Sequence, residues 1–520
     1  MLKKSSIWLV AILSLLLPFA SCASAPTAQT TLPSSVTQTA QLSPTTGLVI
    51  PSTSLIAWPA FDGGGSRAGV NTAEHTITLG NVGHLTRRWQ THLPNTADSS
   101  PVFQSNVPTS AGPKSLLFLT TLNGSLLALD AATGTLVWSK ETHGPKITHS
   151  SPALDPSGQF VYSYGLDSKV HKYAVGNGNE MNGAGWPAQI TLMNEDEKES
   201  SALNITKEYL YVTTSGYIGD GGHYEGHIVA IQLATGTRTV FNSLCSNIHQ
   251  LLVNTPTAPN YCQDIQSGVW ARAGAVVDPT TGNVFFTTGN GPYNANSGGS
   301  NYGDSVIELS PDLNHLIDTY TPENYQELDQ NDADLGSASP VLLLKQATSS
   351  TPYLAVQAGK DEKLRLLNRQ NLSGQGGPSH VGGELQSVNL PQGCAVLTQP
   401  VAWNDASGIT WIFVTNDCGL SAFKVATNTS GKTSLQPIYT NQMSGSSPFI
   451  ANSILFIQSN MALHALDPST GATLWSSDQS SAGSSIGGLH WESPIVVNGV
   501  VYVPDENGTI TAYGLAHTQT

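Results

Sequence analysis

The sequence predicts an all-β protein, an eight-bladed β-propeller of four-stranded antiparallel blades closed by an N-terminal strand that joins the last blade. Three observations predict it: one self-similar unit recurs along the chain, charged residues make up only 11% against 50 glycines in 520 residues, and the last copy lacks a strand that is present near the N-terminus. A recurring unit dictates architecture before local propensity does, because each copy buries its faces on its neighbours. Few charges with abundant Ser, Thr, Asn and Gly suit short strands and turns, whereas surface helices favour Glu, Lys and Arg.

In chain order, the first element is a targeting segment. Lys3 and Lys4 precede the apolar run Ile7 to Leu17, which is too short to span a bilayer, and small residues follow. Two cleavage readings stand. One is a signal peptide over 1–25, cut after Ala25; the other is lipoprotein processing with acylation of the Cys22 thiol, where Phe19 replaces the usual Leu of the pattern. Either way the protein is expected to be exported, to the periplasm or the outer cell surface, with a lipid on Cys22 as its route to the membrane. Residues 26–57 form a Thr/Ser/Pro-rich stretch that cannot bury a core and reads as a tether, leaving 58–520 for the propeller.

The blades follow. The first runs from Ser99 to Trp138 as SSPVF, LLFLTT and LLALDAATGTLVW, and the seventh repeats it from Ser446 to Trp475 with the same offset between its Asp and its Trp. The second starts at Ser150, the third at Ser200, the fourth at Ala273, the fifth at Ser337, the sixth at Thr398, and the eighth spans Glu492 to Leu515. Each reads as an apolar strand, a β-branched strand, a third strand ending near Leu-Asp, and a Thr-Gly turn leading to a Trp strand. The eighth copy stops before that outer strand. LTRRWQTHL, from Leu85 to Leu93, supplies it, so the ring closes without an open sheet edge. Trp89, Trp138 and Trp475 are expected to pack between neighbouring blades.

Four cysteines remain beyond Cys22, and an exported chain permits disulfides. Three pairings exist for four thiols; the economical one joins local neighbours, Cys245 with Cys262 and Cys394 with Cys418. A formal net charge of -15 and no basic stripe exclude nucleic acid as a partner. The run Glu195 to Glu199 reads as a solvated loop between blades, and His223 and His227 in HYEGH read as surface-loop histidines unless a turn joins them on a metal.

The units with Ala-Leu-Asp, Thr-Gly and Trp resemble the pyrroloquinoline quinone (PQQ) repeat, over nearly all of Trp58 to Leu515. That repeat serves quinoprotein alcohol dehydrogenases and also non-catalytic envelope propellers that help assemble outer-membrane barrels, so fold alone does not select between them. TTGN resembles the dehydrogenase turn whose Asn binds calcium, implying Asn290. GVWARAGAVVDP is similar to the segment whose Trp supports the quinone ring, implying Trp270. LDQNDADLGSASP resembles the segment carrying the catalytic base, implying Asp329, which would also face the calcium. AGKDEKLRLLNR is similar to the segment giving a cation to the quinone oxygens, implying Lys360. Asp220 or Glu225 would stand in for the calcium-binding Glu, which has no match in register. The resemblance implies PQQ and calcium as cofactors, a small alcohol or sugar as substrate, and an external electron acceptor. Without the cofactor it implies envelope proteins as partners. The bland readings are a left-handed turn at Asn290, a solvated pair at Lys360 and Asp361, a calcium loop or turn cap at Asp329, Asp332 and Asp334, and a packing role for Trp270.

Overall fold

The computed structural model describes residues 56–479 and 486–516. The signal segment, Cys22 and the tether up to residue 55 lie outside the described residues. Eight antiparallel sheets follow one another in chain order, each built on four strands. In the first blade these are Val102–Thr109, Gly112–Thr120, Leu126–Asp130 and Leu136–Lys140. Strand pairs of this kind need only tight turns, which is why glycines punctuate the sequence.

Closure takes the expected form. Leu85–His92 pairs antiparallel with Thr509–Leu515, Leu85 opposite Leu515 and His92 opposite Thr509, as the outer strand of the eighth blade. The Trp residues of the outer strands then tie blade to blade. The indole N–H of Trp89 donates to the Ala131 carbonyl of the first blade, that of Trp138 to Val175 of the second, and that of Trp475 to Leu85 of the eighth. A turn glycine of the neighbouring blade, in Thr133-Gly134 or Asn177-Gly178, is the seat for that ring. Gly134 and Gly178 have φ of 74° and 67°, and a Cβ at either position would collide with the rings of Trp89 and Trp138 respectively.

A strap at the N-terminus of the described region was not legible as such in the sequence. Ala57–Trp58 adds to the inner strand of the first blade, and Val70–Asn71 runs parallel to the inner strand of the seventh. Between them the chain bonds to segments of the second, third and fourth blades. The Pro59 carbonyl accepts from Leu154, the Gly65 carbonyl accepts from Val277, and Arg67, 1% exposed, donates to the carbonyls of Phe61, Ala202, Leu203 and Ala273. Asn71 and Glu74 then reach the eighth blade through Val496 and Gly499. The strap thus bonds to the first, second, third, fourth, seventh and eighth blades.

Both expected disulfides are present, Cys245 to Cys262 and Cys394 to Cys418. The acidic run departs from expectation. Glu197–Glu199 is a buried strand pairing with Thr214 to Gly216, in which Glu197 accepts from Thr214 and meets His227 and Lys198 donates to Ser200. His227 is likewise buried on a strand and is not on a surface loop. His223 is partly buried, with its Nε2 at the Cys262 carbonyl.

Candidate functional site

The positions four or five residues before each inner strand are equivalent in the eight copies. These positions are occupied by Asp98, His149, Glu199, Arg272, Ser337, Leu397, Gly445 and Trp491 in the eight blades. Two cavities meet there. One, of about 270 Å³, is lined by His149, Lys198, Asp220, Trp270, Asp332, Asp334, Lys360 and Trp491. The other, of about 440 Å³, is lined by Arg272, His490, Trp491, Glu492 and residues of the sixth and seventh blades.

The smaller cavity gathers Asp220, Trp270 and Lys360 among the residues singled out in the sequence, with Asn290 bonded to two of its lining carboxylates. The Lys360 ammonium binds Asp332 at 2.7 Å and also Asp334, and it lies 5.2 Å from the centre of the Trp270 ring. Trp270 meets Trp491 edge to face at 6.1 Å. Asn290 hangs on the same carboxylates: its backbone N–H donates to Asp334 at 2.7 Å and its Nδ2 to Asp332 at 3.0 Å. Its Oδ1 is buried with no hydrogen-bond partner among the described residues. Asp220 is exposed at the rim, at φ 50°, and accepts a hydrogen bond from the Tyr224 hydroxyl.

Asp329 is not brought into this group. It is exposed on the short helix Tyr325–Gln330, and the carboxylates that its segment brings to the cavity are Asp332 and the buried Asp334. The insertion between the fourth and fifth blades coils into that helix, so the acidic segment reaches the cavity several residues later than the motif match implied. Glu225 is buried beside His223 and outside the lining of the cavity; burial raises its carboxyl to about 9.

Burial is the largest influence on both members of the central ion pair. It holds Asp334 above the usual carboxylate range in spite of Lys360, whereas in Lys360 the attraction of Asp334 and Asp332 outweighs burial and raises the ammonium. A second set of charges continues down the channel. Burial pushes Glu199 up to about 8, against Ser150 and Lys198, and Glu492 up to about 8, with Asp98 adding repulsion. Burial lowers Lys198 to about 8 and Arg272 to about 10. Near the strap, burial raises Asp62 to about 8 and lowers Arg67 to about 9.

Sequence reasoning missed Asp98, His149, Arg272, Lys198, His490, Trp491 and Glu492. The signal for several of them was present: a charged or aromatic residue four or five residues before an inner-strand start, at the equivalent position in several copies.

The eight repeated sheets define a PQQ-repeat β-propeller. A family model described as outer membrane protein assembly factor BamB matches residues 84–291 and 416–518, and the chain belongs to that family. Among curated proteins none matches the sequence. Of solved structures, the quinohemoprotein alcohol dehydrogenase ADHIIG from Pseudomonas putida HK5 is similar over 89% of this chain and 81% of its own, at 12% identity and a TM-score of 0.63. That from Comamonas testosteroni is similar over the same shares, 89% and 81%, at 14% identity and a TM-score of 0.62. BamB from Moraxella catarrhalis is similar over 83% of this chain and 99% of its own, at 12% identity and a TM-score of 0.50. At such identities these likenesses carry the fold and no more.

Proposed function

We propose that the protein is an exported quinoprotein-type dehydrogenase that binds PQQ and calcium at the smaller cavity and oxidises an alcohol or sugar. The observation that carries this reading is the convergence of Lys360, Asp334 and Trp270 on one small cavity, with Asn290 hydrogen-bonded to Asp334 and Asp220 at the rim. The donor chemistry fits. The buried, unpartnered Asn290 Oδ1 and the carboxylates of Asp220 and Asp334 are hard oxygens suited to calcium, and a planar polyanionic quinone suits a cation beside an indole face. When bound, PQQ supplies an electrophilic carbonyl that takes up two electrons and calcium polarises it.

The rest of the chemistry belongs to this chain. Lys360 holds positive charge against the anionic oxygens, and Trp270 offers an apolar face that fixes the plane of a ring. Asp334, in its ionised form, accepts the substrate hydroxyl proton, taking the role the sequence assigned to Asp329; its burial makes it a stronger base than an exposed carboxylate. Lys360, bonded to Asp334, keeps that carboxylate oriented.

The test is titration of purified full-length protein with PQQ in millimolar calcium, following quinone absorbance and dye reduction with alcohols and sugars. Saturable binding is expected, lost with turnover in Lys360→Ala and weakened roughly fivefold in Trp270→Ala, the equivalent of about 1 kcal/mol of ring contact. Asp334→Asn is expected to retain binding and lose about 10²-fold or more in turnover. Wild-type protein that binds no PQQ under these conditions overturns the reading.

The family match favours a second reading, in which the cavities and the blade edges bind envelope proteins during assembly and no cofactor is used. Under it, the Lys360 cluster is a structural ion-pair network, and Lys360→Ala alters stability without touching any redox activity.

A further inference from the structure

We propose that Asp98, His149 and His490 form a binding site for one first-row divalent transition-metal ion of the zinc type, on the channel wall beside the calcium donors and distinct from them. The three residues come from the first, second and eighth blades, and the ring closure described above brings them together. His149 Nδ1 lies 2.7 Å and His490 Nδ1 2.6 Å from the same oxygen, Asp98 Oδ2. The three donor atoms lie within 4.8 Å of one another. A four-coordinate ion at about 2.0–2.2 Å holds its donors roughly 3.3 Å apart or slightly more, so the two Asp–His pairs, now at hydrogen-bond distance, open by roughly half an ångström and give up the shared protons when the ion enters.

The donor set decides the class of ion. Two imidazole nitrogens and one carboxylate oxygen suit zinc, cobalt, nickel or iron, whereas calcium takes oxygen ligands throughout. Each ring ligates through Nδ1 and keeps its proton at Nε2. Asp98 is 2% exposed and is held in orientation by the Trp491 backbone N–H, which donates to its Oδ1 at 2.7 Å, the outer support that ligating carboxylates use.

A second observation points the same way. Glu492, 1% exposed, accepts from the His490 backbone N–H through Oε2, while its Oε1 is buried with no hydrogen-bond partner among the described residues. A buried oxygen beside the cluster without a donor of its own is suited to a cation, either directly or through a bound water. Access is open, since His149 lines the smaller cavity and His490 the larger. Three protein ligands with a reachable further position are the arrangement of a reactive rather than a closed structural ion.

The experiment uses untagged, chelator-treated full-length protein without PQQ or calcium, titrated with Co²⁺ and then Zn²⁺. Visible d–d bands and calorimetry are expected to report a single saturable equivalent, displaced by Zn²⁺ and unaffected by excess Ca²⁺. His490→Ala, at a side chain 43% exposed, is expected to fold as wild type by circular dichroism and to weaken Co²⁺ binding by roughly 100-fold or more. Asp98→Asn is expected to do the same, and if it does not fold, His490→Ala alone decides. Lys360→Ala is expected to leave Co²⁺ binding unchanged, which separates this site from the PQQ reading. No saturable Co²⁺ binding, or binding that His490→Ala leaves intact, overturns the proposal and makes the cluster a hydrogen-bonded triad only.

Discussion

Asp334 and Asp329 belong to one acidic segment, yet only Asp334 is buried against a lysine. The motif matches named Trp270, Asn290 and Lys360 together, and the fold brings these three residues to one place, but the pairing of Lys360 with Asp334 was not legible from residue types. Choosing among Asp329, Asp332 and Asp334 required the path of an insertion with no counterpart in the repeat. Burial was equally hidden at Glu199, which looks solvated in a run of charges and is faced by Lys198 and Arg67 inside the channel. Its folded pKa of about 8 lies above the ordinary value, so the folded state binds a proton that the unfolded chain has released between about pH 4.5 and 8. Stability therefore falls as pH rises through that window. Thermal melts across it should show Glu199→Gln, which keeps the shape and never ionises, with a flatter profile than wild type and a higher melting temperature at pH 8. A profile unchanged by the substitution would contradict the burial argument.

At the scale of the element, the Thr-Gly turn and the Trp strand are two halves of one contact between neighbouring blades. This explains why the pair recurs, and why most strands were legible from the chain alone. Each indole N–H gains a carbonyl of the next blade, a bond worth about 1 kcal/mol net. Gly134→Ala should lose more, about 2 kcal/mol or above in denaturant unfolding, since it combines a left-handed φ with a collision at Trp89 and Thr91. Gly112→Ala, also at positive φ but with nothing within 4 Å of its added Cβ, isolates the backbone part. Equal losses at the two positions would remove the docking explanation. The strap from Trp58 to Asn71 had no such periodic cue, because it belongs to no repeat and is held by single contacts such as those of Arg67.

For the whole molecule, the ring is one cooperative object closed by a strand from its opposite end. Deleting residues through Leu93 removes the outer strand of the eighth blade and the strap together. The expected result is an exposed sheet edge, a large fall in melting temperature, and aggregation visible by light scattering. An unchanged melting temperature in that truncation would refute closure.

The strap and closing strand also set an order of events in time. A chain made and delivered from its N-terminus presents residues 56 to 92 first, while their partners in the seventh and eighth blades arrive last. Joining Leu85 to Leu515 closes a loop whose entropy costs roughly 5 kcal/mol beyond a constant, and none of that is offset until the last blade exists. Val70–Asn71 and the strand Leu85–His92 therefore stay without their strand partners throughout delivery. Final folding is a single late event with a high contact order, slow and exposed to misassociation until the two ends of the chain meet.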